Sequence, residues 1–313
     1  MTRLLVVLVA TVVAVGGLAV SVRGQTRSDT SLAGSWLLRA VERRAIAGGR
    51  IANPRGLLVF DTAGHVCEIV TTADRPSYAG AQATAEQALA AFDSYTGFWG
   101  SYRIESGGRL LYRPEAAVNP NLVGQEVVRT YETAGDELSV TAGGSEPLET
   151  GTRWVWMRVP PVDGITAAHR RISGFWRWVS ETSLATATGA VVSEVARGPS
   201  VIAYTPSGFV CVHFPRAGRT RFAGDRPTGD EARQALAGYT SYIAALTVHS
   251  GFIFHHQMSA LAPSPGTSLQ RFFEFQKNDM EVRYLFPPTI VAGQERRTQV
   301  ILRRLSSAAE MMP

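Results

Sequence analysis

Lysine is almost missing from this chain of 313 residues: Lys277 is the only one, so the other members of the 31 Lys+Arg are arginines. They are scattered among 26 acidic residues rather than gathered into a stripe, and the sequence pI near 9.5 reflects arginine usage, not a built cationic surface. Nucleic acid is therefore a poor candidate partner. Cysteine is scarce too, with only Cys67 and Cys211, which excludes a disulfide-dense miniature scaffold. Nor does the chain contain a Gly-x-Ser-x-Gly elbow, a His-Glu-x-x-His pair or a phosphate loop. No catalytic residue is assigned on motif grounds, and no cofactor is implied.

One long uncharged run is present, Leu4 to Val20, preceded by Met1-Thr2-Arg3 and followed by Ser21-Val-Arg-Gly24. It reads as a secretory signal peptide over 1–24, with Val22 and Gly24 as the small residues before the cut and the mature chain starting near Gln25. The alternative is an uncleaved anchor, because the run approaches the roughly 20 residues that span a bilayer. A periplasmic or secreted location is expected, with a membrane involved only if that segment is retained. Losing Arg3 and Arg23 takes the formal charge from +5 to +3 (5 − 2).

The rest of the chain is one unit written twice. Tyr204-Thr-Pro-Ser-Gly-Phe-Val-Cys211 repeats the plan of Phe60-Asp-Thr-Ala-Gly-His-Val-Cys67 at a spacing of 144 (211 − 67). Each copy is an aromatic, a four-residue turn and an apolar run, the pattern of a β-hairpin. Pro206 presets the second turn position and Asp61 favours the first, so two chemistries reach the same turn. Gly34-Ser-Trp36 and Gly174-Phe-Trp176 open the two units. Thr84-Ala-Glu-Gln87 and Thr228-Gly-Asp-Glu231 are capping boxes that start a short helix in each, a lid or plug packed on a sheet. At 45% apolar content the chain can bury two cores of roughly 130 residues each. Pro160-Pro-Val-Asp-Gly164 breaks a continuing strand, which places the units at 31–159 and 171–305 with a linker at 160–170. Because Cys67 and Cys211 hold the same place in two separate units, each is expected to pack as a small hydrophobe in its own domain rather than to bridge.

Beyond the helices the repeat runs at a spacing of 142, with Tyr112 on Phe254 and Arg129 on Arg271. Many short strands with tight turns and one helix per unit point to a closed antiparallel sheet, which leaves no edge exposed. The fold expected is mainly β: two tandem antiparallel β-barrels, each with one short helix. The order Gly-x-Trp, aromatic-turn-Gly hairpin, capped helix ending in Tyr, His-containing strand, Pro/Gly turn, Arg strand and terminal Arg resembles the bacterial lipocalin-like domain family, in two copies over 34–158 and 174–304. The resemblance implies barrels of about eight strands, wide enough for one small ligand. It further implies that Trp36 with Arg158, and Trp176 with Arg303 or Arg304, close the barrel bases by stacking.

Candidate chemistry concentrates in the second unit, since five of the six histidines lie in the linker or beyond it. Side chains alternate along a strand, so Phe254, His256 and Met258 share one face and Ile253, His255 and Gln257 the other. The face of His256 is the more apolar. The expected pocket is His256 with Tyr204, Tyr239, Tyr242, Phe254 and Arg271, holding a small hydrophobic molecule, although Arg129 and Arg271 are also compatible with a solvated face. No set of three suitably spaced metal ligands emerges. A second reading makes the barrel an isomerase, hydratase or cyclase for an apolar substrate, with His256 as general acid or base.

Overall fold

The computed structural model describes residues 31–43, 49–50, 53–73, 75, 77–78, 82–143, 151–262 and 266–306. The signal segment expected over 1–24 lies outside them. The first sheet comprises β1 (Gly34–Arg43), β2 (Gly49–Arg50), β3 (Pro54–Phe60), β4 (His65–Thr72), β5 (Tyr95–Glu105), β6 (Arg109–Ala117), β7 (Val127–Ala134), β8 (Glu137–Ala142) and β9 (Thr152–Val159). All pairings are antiparallel, and β1 bonds both β3 and β9, so eight strands close a barrel with β2 as a side ribbon. The second sheet comprises β10 (Gly174–Ala185), β11 (Val191–Glu194), β12 (Val201–Tyr204), β13 (Phe209–Pro215), β14 (Tyr239–Val248), β15 (Phe252–Ala260), β16 (Ser268–Gln276), β17 (Glu281–Leu285), β18 (Thr289–Val291) and β19 (Gln294–Arg304). It closes in the same way through β10 and β19, with β11 and β18 appended.

Local sequence accounts for the shared geometry. The twin hairpins join β3 to β4 and β12 to β13, and each turn ends on a left-handed glycine, Gly64 at φ 94° and Gly208 at φ 79°. Arg158 lies 4.0 Å over the Trp36 ring and Arg304 lies 4.2 Å over Trp176, a cation–π contact that closes each base. The Gly of each Gly-x-Trp makes room for it. A Cβ on Gly34 or Gly174 would stand 3.2 or 2.8 Å from the Nη1 of that arginine.

Both capping boxes form, at the starts of α1 (Ala85–Asp93) and, after the short α2 (Ala167–Ile172), of α3 (Gly229–Ala237). Their place differs from the lid expected of them. The two helices pack on each other so closely that a Cβ on Gly229 would meet the Ala85 Cβ at 2.7 Å. Ala88, Phe92, Ala232 and Ala235 enter a core that belongs to neither barrel alone.

That third core joins the outer faces of the two barrels: Leu57, Val59, Cys67, Trp99 and Tyr95 from one, Val201, Ala203, Cys211, Ile243 and Tyr239 from the other. Members pair at the repeat spacing of 144, as an approximate two-fold requires, because such an axis presents the same patch from both sides. Each large side chain in it contributes on the order of 2 kcal/mol by leaving water. Polar reciprocity follows the same rule: Arg75 donates to the Ala260 and Leu261 carbonyls, while Arg219 donates to those of Ala117 and Val118.

The symmetry also corrects the expectation for the cysteines. Cys67 and Cys211 form a disulfide between the barrels, with Cα atoms 6.3 Å apart. Occupying the same place in two units would keep them apart only if the units faced different ways; on a two-fold, equivalent positions near the axis are the ones that meet.

Candidate functional site

The two interiors have the same layout and different chemistry. In the first barrel Trp36, Trp154 and Trp156 fill the space with Phe60, Phe98 and Tyr112. Among them Arg129 Nη1 bonds both carboxylate oxygens of Glu68, at 3.0 and 2.8 Å, with the side chains 1% and 0% exposed. The guanidinium is further held against Trp154 at 4.3 Å and Tyr112 at 5.2 Å. A charge so far from water needs such a partner.

The ladder registers identify the matching stations. Arg129 stands opposite Leu110 and Arg271 opposite Ile253. Glu68 stands opposite Phe98 and Val212 opposite Tyr242. Tyr112 stands opposite Tyr102 and His255 opposite Leu246. The second barrel therefore keeps the arginine but has Val212 where the first has its glutamate. Among the described residues no carboxylate pairs with Arg271, which donates to the Gln270 carbonyl and stacks on Phe286 at 4.0 Å. It is only half-buried, as are Leu269 and Phe286 beside it.

Polar groups occupy the remaining stations. Tyr284 donates to Tyr204 Oη at 2.7 Å, Tyr204 Oη meets His255 Nε2 at 3.0 Å, and His255 Nδ1 meets Tyr242 Oη at 2.9 Å. All four side chains are buried. Burial first, then the Arg271 and His256 charges, depress the His255 imidazole to about 3, so it is neutral at pH 7. Burial pushes the Tyr242 hydroxyl up to about 12 and raises those of Tyr204 and Tyr284 as well, with the Arg271 charge opposing the rise at all three. Three hydroxyls and one neutral imidazole carry four protons, and the tetrad makes three hydrogen bonds. In either tautomer one donor proton is left without an acceptor among the described residues.

Of the residues expected in the pocket, the structure brings Tyr204, Tyr242 and Arg271 into the second barrel and leaves three elsewhere. Tyr239 points into the inter-barrel core, where its hydroxyl meets His213 Nδ1 at 3.0 Å. Phe254 and His256 lie on the outer face; the His256 ring is exposed and bonds Thr247 and Ser268. The inward histidine is His255. The hairpin from Val248 to Ile253 is one residue shorter than its counterpart from Ile104 to Leu110. This takes the repeat spacing from 144 before the hairpin (248 − 104) to 143 after it (255 − 112), where 142 was expected, and a one-residue slip exchanges the two faces of a strand. Tyr284 was missed because it lies in a short stretch, Val282 to Phe286, with no motif around it.

Two other features are less apt as sites for an apolar ligand. Cys67, Cys211 and His213 cluster at metal-ligand spacing, but both sulfurs are committed to the disulfide. A cleft of about 380 Å³ on the first barrel is walled by Thr130, Glu132, Ser139 and Thr141. Those positions alternate with the residues that fill the barrel, so the cleft is on its outer, polar face.

Comparison with known proteins agrees with this architecture. The family model described as a lipocalin-like domain matches residues 33–159, the whole first barrel. No curated protein sequence matches the chain. A crystal structure of a protein with unknown function from the DUF3598 family of Nostoc punctiforme is 7% identical, over 87% of this chain and 96% of that one. Its TM-score of 0.23 is too low to carry an argument. Residues 33–159 are similar to the lipocalin-like domain family, and the structure is a tandem of two closed antiparallel barrels.

Proposed function

We propose that this is an exported carrier that holds a small, largely apolar molecule inside its second barrel. The observation that carries the reading is the contrast between interiors: the first is packed with tryptophan and neutralises its arginine with Glu68, while the second is partly open at Arg271, which no carboxylate among the described residues neutralises. Ligand sites combine apolar walls with a few placed polar groups, which describes the second interior and not the first. The disulfide favours export, since such bridges persist in oxidising compartments. Catalysis by an inward histidine is the weaker reading. An imidazole held near 3 is a poor base at neutral pH.

The test is fluorescence of the neutral probe N-phenyl-1-naphthylamine. Saturable enhancement is expected with the intact protein, and reduced enhancement with Leu269→Trp, which narrows the second barrel beside Arg271. Enhancement absent in the intact protein, or unchanged by that substitution, would remove the assignment to this interior.

A further inference from the structure

The first barrel shows what its sister lacks. At one station of β7 and β16 both copies carry an arginine directed inward, and the first copy holds a carboxylate of its own chain against it. The second has replaced that glutamate by Val212, yet has kept the arginine and gained Tyr204, Tyr242, Tyr284 and His255 where the first has Phe60, Phe98, Val140 and Tyr112. The change removes an acceptor and adds donors. An inward guanidinium with no carboxylate partner among the described residues, next to a tetrad with one proton to spare, is a site short of an anion.

We infer that the ligand of the second barrel is a monocarboxylate with an apolar body, its carboxylate taking at Arg271 the place that Glu68 takes at Arg129. This rests on the carrier reading of the same interior and adds the chemical class of the ligand. A guanidinium fork matches a carboxylate in shape and charge. One arginine, with neutral hydroxyl donors behind it, suits a single negative charge better than a phosphate ester, which calls for more cations. The spare tetrad proton supplies a donor to the head group. Leu269 and Phe286, half-buried on the same interior face, offer apolar surface to the body.

The experiment is competition against bound N-phenyl-1-naphthylamine by dodecanoate and by 1-dodecanol, at pH 7.5 and below micelle-forming concentrations. Displacement by the carboxylate at concentrations at least about tenfold lower than the alcohol is expected. In Arg271→Gln that preference disappears while displacement by the alcohol is unchanged. In Val212→Glu, which transplants the first barrel's own carboxylate, the preference disappears again. Circular dichroism and the alcohol titration report whether either variant remains folded. Equal displacement by acid and alcohol in the intact protein, or equal loss of both in a folded Arg271→Gln, would overturn the inference and leave the carrier reading standing. Absence of probe binding in the intact protein would overturn both.

Discussion

Cys67 and Cys211 stand 144 positions apart and are joined by a disulfide at the centre of the shared core, each fully buried. A cross-link over so long a loop restrains the unfolded chain strongly, by about 4–5 kcal/mol in the chain-entropy account. The pair Cys67→Ala with Cys211→Ala should therefore lower the free energy of unfolding by about 2–5 kcal/mol. The surrounding apolar contacts should keep the barrels docked. Urea denaturation of the oxidised protein and the double variant measures the first expectation; small-angle scattering of the double variant measures the second.

Glu68 and Arg129 form a buried pair in which each is needed because the other is present. Glu68→Gln leaves the guanidinium buried without its counter-charge and should cost about 3–5 kcal/mol. Replacing both, as Glu68→Leu with Arg129→Met, should recover most of that loss, because well-packed apolar groups match a buried pair in stability. Chemical denaturation of the three proteins checks the ordering.

His213 and His255 are both held near 3 by burial, against an ordinary value of about 6.5. Above pH 6.5 both are neutral whether the chain is folded or not, and they contribute no pH dependence. As pH falls below 6.5 the unfolded chain takes up protons that the folded protein does not, so stability drops by about 1.4 kcal/mol per pH unit for each. The loss continues until the folded state also protonates near 3. Between pH 6.5 and 4.5, above the range where most carboxylates titrate, the two together should give a slope near 3 kcal/mol per unit. A His213→Asn variant should show about half that slope in denaturation midpoints.

His256 and His255 are adjacent in sequence and face opposite ways. His256→Ala removes bonds at an exposed surface and should leave probe affinity within about twofold. His255→Phe breaks two hydrogen bonds of the tyrosine tetrad and should weaken dodecanoate displacement by roughly tenfold. The paired competition titrations distinguish the two.

What the sequence disclosed and what it hid differ in kind. Duplication, turn chemistry and helix caps are written in contiguous motifs or in fixed spacings, the stacking of Arg158 on Trp36 is implied by the family resemblance, and all of them reappear in the barrels. The inward histidine was misassigned because facing depends on a single residue in a hairpin, which a spacing of 142 or 143 settles only after pairing is seen. Glu68 with Arg129 and Tyr284 with Tyr204 are contacts across a closed interior, between residues 61 and 80 positions apart, and no local pattern marks them. The disulfide was hidden for a further reason. Sequence similarity reveals that two halves are alike, but the axis relating them is a property of their outer surfaces.

That axis has a consequence for any shorter form of the molecule. Each half carries on its outside an apolar patch whose complement is the corresponding patch of the other half, with a thiol at its middle. Produced alone, a single half would have no covalently attached mate, and its natural counterpart would be another copy of itself. Such a homodimer would be cross-linked through one cysteine from each subunit.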